Sequence, residues 1–162
     1  MKIAFMGFDT EEKKKVILEL LNYFDHMNVK VYLDDRIETQ YNTLGERFKE
    51  PKARKKIQRW LDWWFVWTHY FKNDFVSSAS IYDAWVTARV SVHPWYHDLL
   101  YTWAYKHIWY DHLFYIHPAG PTDPVREREL GAVLTYSRVP FHVLSGSTQD
   151  KLDQVKVLLG RI

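Results

Sequence analysis

Short apolar runs alternate with longer amphipathic stretches along nearly the whole chain, and this alternation constrains the fold more than any other feature. Lys2–Phe8 reads as a buried strand. From Glu11 to Phe24, Val16, Leu20 and Phe24 recur on one helical face, with Ile17 and Leu21 beside them. Further strands are expected at Val29–Leu33, at Phe75-Val76, at Leu113–Ile116 and at Phe141–Leu144. Helices are expected at Pro51–Phe71, Tyr82–Val90, Pro94–His107, Arg126–Ser137 and Thr148–Leu159. Pro51 suits the first turn of a helix, where its missing N–H costs nothing. The closing helix turns Leu152, Val155 and Leu159 inward. Strands separated by helices must run parallel, and a parallel sheet buries both faces under helices. The expectation is a three-layer α/β fold over residues 1–162, one domain, with Lys2–Phe8 central in the sheet.

Composition agrees. At 162 residues the chain can bury a real core, and 47% hydrophobic residues exclude disorder. The net charge of +2 gives no electrostatic argument for nucleic acid, and the basic run Lys49–Arg59 reads as a solvated helix face. There is no cysteine, which excludes disulfides, thiolate catalysis and cysteine-ligated zinc, and fits a reducing cytoplasm. The apolar part of the N-terminus is too short for a signal peptide, and no run approaches the roughly 20 apolar residues of a membrane span. A cytoplasmic protein without a membrane partner is the expectation.

In parallel sheets, ligands bind beyond the carboxyl ends of the strands. The segments to inspect are Gly7–Lys15, Asp34–Arg36, Ser77–Ser80, His117–Arg126 and Ser145–Ser147. The first contains "MGFDTEEKKKV", Met6 to Val16, in which a glycine follows a strand and a lysine follows six residues later. A working phosphate loop reads G-x-x-x-x-G-K-S/T. Gly7 and Lys13 fill the first glycine and the lysine places. Glu12 replaces the second glycine, and Lys14 replaces the hydroxyl that would bind Mg²⁺. The spacing of Asp9 and Glu12 predicts instead a helix start capped by Asp9. Carboxylates at Asp9, Glu11 and Glu12 would then supply the negative charge that a helix N-terminus attracts.

Four segments carry a resemblance. "FVSSASIYDAW", "YDHLFYIHP", "DPVRERE" and "PFHVLSGSTQDKLDQV" occur in the order of a strand end, a second strand, a lid segment and a final strand–turn–helix. In this order the chain resembles the P-loop nucleoside and nucleotide kinases, near the nicotinamide-riboside kinases and their phage-encoded relatives. The resemblance spans nearly the whole chain. It implies a P-loop kinase-like fold with a five-stranded parallel sheet, and a phage or bacterial origin. It makes Gly7, Lys13, Arg126 and Gly146 ligand-binding candidates, with Gly146 near an adenine. Ser78-Ala79 stands where the resembled motif has Asp-Arg, so the metal-assisting aspartate and a phosphate-binding arginine are missing. Asp83, the last aspartate of the motif, remains, and serves equally well as a helix-start residue. ATP and Mg²⁺ are implied only if Lys13 and Asp83 still work as catalytic residues.

Other candidates for chemistry are weaker. His93 and His97, with Asp98 adjacent, have i, i+4 spacing, but Pro94 intervenes. His112 and His117 flank a strand and project to opposite faces. No metal site is expected. Arg36 and Arg89 read as surface arginines. Eight tryptophans say more. Trp60, Trp64, Trp67 and Phe71 share one helical stripe, with Trp63 expected elsewhere, and Trp95, Trp103 and Trp109 crowd the next helical region. Many of these rings belong in the core. Their excess between Trp60 and Trp109 also predicts a homo-oligomer or a protein partner. Base stacking lacks an accompanying basic stripe. Three functional readings follow. The first is a catalytically degenerate kinase-like protein that works by binding a nucleotide-like ligand, a protein or both. The second is an active kinase with a rearranged phosphate site. The third is a structural or inhibitory interaction protein.

Overall fold

Strand β1, Lys2–Met6, is buried along its entire length because helices cover both of its faces. In the computed structural model, residues 1–7, 10–35, 51–91, 94–117 and 120–160 are described, with backbone alone at 51–55, 57–58, 91 and 94–97. β1 lies between β3 (Phe75–Ser77) and β4 (His112–Ile116). β2 (Tyr32–Asp34) and β5 (His142–Leu144) complete the sheet at its two edges, giving the order β2-β3-β1-β4-β5. All four pairings are parallel. The three-layer α/β architecture with a five-stranded parallel sheet and a central first strand is therefore present.

The alternation of β1 divides the core. Ile3 and Phe5 pack with Val16, Leu20 and Phe24 of α1 (Glu11–His26) and with Leu152 and Val155 of α6 (Thr148–Leu159). Ala4 and Met6 face the other way. Their layer is built from α2 (Pro51–Phe71), α3 (Ile81–Ser91), α4 (Pro94–His107) and α5 (Pro124–Ser137). No helix of the described residues is long and apolar enough to cross a membrane.

Local chemistry sets the boundaries. α5 opens on Asp123, whose side chain accepts from the Val125 N–H at 3.0 Å, followed by Pro124. α1 runs to His26, two residues past the Phe24 at which the sequence reading ends it, and stops there. Asn28 takes the left-handed conformation, φ 56°, and the Val29 N–H donates back to Phe24 O at 2.9 Å. This is a Schellman-type stop. Val29 therefore belongs to the helix end, and β2 starts three residues later than the sequence reading places it. Phe8, the expected end of β1, lies outside the described residues.

Lys2 joins two layers. Its ammonium reaches the carbonyls of His69 at 2.9 Å and Tyr70 at 3.2 Å, in the last turn of α2. Those carbonyls lack helical partners, so the lysine acts as a cap delivered from another element.

The outer face of α2 corrects the expected aromatic stripe. Trp63 is not separate. It stacks on Trp67 at 5.9 Å, and Trp67 stacks on Phe71 at 5.2 Å. The four-residue spacing puts these rings one above another. Trp60 and Trp64 form an adjoining stacked pair at 5.5 Å. Trp85, by contrast, is buried and donates its ring N–H to Asp98 at 2.7 Å.

Candidate functional site

Gly7 follows the carboxyl end of β1 and precedes α1 in the chain. Its φ of +108° is a backbone state that side chains resist, and a Cβ there would lie 3.0 Å from the Ile116 carbonyl and 3.1 Å from the Tyr115 ring. The close approach of β4 thus requires glycine here whether or not a phosphate binds. Burial raises the Tyr115 pKa, with the carboxylates of Glu127 and Asp83 adding to the shift.

Asp83 lies at the centre of the site. One carboxylate oxygen accepts from the Gly7 N–H at 2.8 Å. The other accepts from the Ser80 N–H at 2.8 Å and the Ser80 hydroxyl at 2.6 Å. The Asp83 N–H points back to Ser80 Oγ at 3.3 Å. Ser80 and Asp83 form the reciprocal capping pair of α3. A carboxylate of the protein's own therefore engages the amide at the head of the β1–α1 segment. The adjoining Ile81 N–H is satisfied by the Tyr110 hydroxyl at 2.9 Å.

Lys13 is buried, and its ammonium turns toward the Gly7 carbonyl at 3.4 Å. The cap of α1 is Thr10, whose side chain accepts from the Lys13 N–H at 3.1 Å. This corrects the capping box expected from Asp9 and Glu12: with Thr10 as the cap, Lys13 takes the third helical position. Asp9 itself lies outside the described residues. Glu12 reaches across to α6 and pairs with the Lys151 ammonium. The same ammonium bonds the Gly146 carbonyl at 2.7 Å. Gly146 has φ +92°, and a Cβ would come 2.8 Å from Asp150 Oδ2. Ser147 and Asp150 make a complete capping box on α6, and the bonds from Ser147 hold the Asp150 carboxyl below its ordinary range.

The structure thus brings Gly7, Lys13 and Asp83 together and links Gly146 to them through Lys151 and Glu12. Arg126 lies in the first turn of α5. It is half-buried, and its guanidinium donates to Thr87 on α3 at 2.9 Å. Ser78 and Ala79 are buried, and the Ser78 N–H bonds the Asp34 carbonyl at 3.1 Å. Arg89 pairs with Glu129 at 3.1 Å. Arg36 and His93, and the side chain of His97, lie outside the described residues. His112 packs on Phe114 and His117 meets Tyr115, on opposite faces of β4. Among the described residues, no three His, Asp or Glu side chains converge as metal ligands.

Sequence reasoning missed two features. Lys151 sits next to the inward Leu152, where a lysine four residues beyond a Ser cap reads as surface. The second is a polar chain in the core. Tyr110 accepts from Ile81, so its proton faces His69 Nδ1, 2.7 Å away. The other His69 nitrogen faces Asp34 Oδ2 at 3.5 Å. His69 and Asp34 are buried, and burial pushes the Tyr110 hydroxyl well above its ordinary pKa. The chain ties β2, α2 and α3 together behind the strand ends. Its residues lie too far apart in sequence for any spacing rule to signal it.

No protein-family model matches the chain, and no curated protein matches it.

Proposed function

We propose that the chain is a P-loop kinase-like protein whose phosphate site is closed by its own side chains, and that it works by binding rather than by phosphoryl transfer. The observation that carries this reading is the engagement of the Gly7 N–H by the Asp83 carboxylate, with Lys13 folded back onto the same glycine. A triphosphate at this loop needs backbone N–H groups free and a lysine extended toward it. Here the amide faces a negative charge, and the lysine faces a carbonyl. Glu12, held by Lys151, adds a second carboxylate at the helix start where the dipole favours an anion. Phosphoryl transfer depends on positioning and charge neutralisation, and Ser78 and Ala79 provide neither.

An active kinase with a rearranged site is the second reading. It is favoured by the convergence of Lys13 and Asp83 on Gly7, which preserves the two groups such an enzyme would use. Calorimetry of ATP with Mg²⁺, together with a phosphate-transfer assay on common nucleosides and nucleotides, separates the two readings. The expected result is no tight Mg²⁺-dependent binding and no turnover. Robust transfer that disappears in Lys13→Ala would establish the kinase instead.

A further inference from the structure

From the outer surface of α2 and α4 we infer that the binding partner of this protein is a second copy of the same chain. The inference deepens the reading of a protein that works by binding and rests on it for function, but the surface lies outside the Gly7 loop. Trp63, Trp67, Leu99, Leu100 and Trp103 line an apolar groove of about 420 Å³. Trp103 closes one wall, 5.8 Å from Trp67 and 5.4 Å from Tyr70. Beside this hole stand exposed rings and an exposed side chain: Phe71 and Leu99 are each 68% exposed, and Trp60 is 62% exposed. A hole and knobs on one continuous surface are what an isologous two-fold contact needs, since each copy offers both halves.

The area also fits. Trp60, Trp63, Trp67, Tyr70, Phe71 and Leu99 leave on the order of 700 Å² exposed, judged from the 150–250 Å² that an aromatic side chain can bury. A stable interface buries about 800 Å² per partner. A patch of this size exceeds what single soluble chains ordinarily leave in water. The rings are already stacked in place, so little side-chain freedom remains to be lost on association. A concave groove favours a protruding side chain over a flat lipid surface.

Sedimentation velocity of the full chain over a concentration series tests this. Reversible dimerisation is expected. Phe71→Lys and Leu99→Lys should each weaken it about tenfold or more, as for residues central to an interface. Both sites are exposed in the single chain, so far-UV circular dichroism of the dilute protein should stay unchanged, and Leu99→Lys, which breaks no ring stack, should leave its melting unchanged as well. A monomer at every concentration overturns the inference, whether its rings then bind phosphatidylserine vesicles or are covered by residues 36–50. So does a dimer indifferent to both substitutions. ATP calorimetry on the same samples reports separately on the Gly7 loop: tight binding by an intact dimer would overturn the closed-site reading and leave this one standing.

Discussion

Asp83 shows how one carboxylate can join two elements. It accepts three hydrogen bonds, caps α3 and holds the end of β1 through Gly7. Asp83→Ala leaves those donors with no acceptor and should cost about 1–3 kcal/mol or more. For a chain this long that is a fall in melting temperature of about 2–4 °C per kcal/mol, read by calorimetry. Asp83→Asn keeps one carbonyl oxygen and should cost less. His112 gives a pH dependence. Its folded-state pKa lies below the ordinary 6.5, because burial opposes the charged ring and His142 repels it. Above 6.5 the imidazole is neutral in both states and contributes nothing. As pH falls through 6.5, the unfolded chain takes up a proton that the folded chain resists, so stability is lost on the acid side. His112→Gln should flatten melting temperature against pH between about pH 7 and pH 5. An unchanged slope would assign the acid sensitivity to other groups.

Elements were more legible than their ends. The bounds of α2, α4 and α6 coincide with the sequence reading, because Pro51, Pro94 and the Ser147 cap mark their starts. β2 was misplaced because an αL asparagine, not a glycine, ends α1, and Asn28 carries that signal less clearly. The candidate site was legible as a set of positions: Gly7, Lys13 and Asp83 do meet. Its chemistry was not, since the partner of Glu12 lies 139 residues away and no local pattern points there. That partner makes a testable clamp between α1 and α6. Lys151 is buried and bonds both Glu12 and the Gly146 carbonyl. Lys151→Met should cost about 1.5–3 kcal/mol, as for hydrogen bonds to charged groups. In a double-mutant cycle with Glu12→Gln, the two losses should not add. Additive losses would mean that the pair contributes nothing as a pair.

At the scale of the molecule, four of the groups that the kinase resemblance singles out have structural tasks in the folded chain. Gly7 permits the approach of β4, Gly146 permits the α6 cap, Asp83 joins β1 to α3, and Arg126 joins α5 to α3. The sheet order has a further consequence, in time rather than in space. β1 is central, yet its neighbours are residues 75–77 and 112–116. At about 5–20 residues per second on the ribosome, the strand that both core layers pack against waits several seconds for its first partner and longer for its second. The tryptophan-rich α2 emerges within that interval, before α3 and α4 exist to cover its inner side. This is a late-closing, non-local topology with a greasy segment made early, and its window of vulnerability falls during synthesis, when a chaperone that shields aromatic helices would matter most.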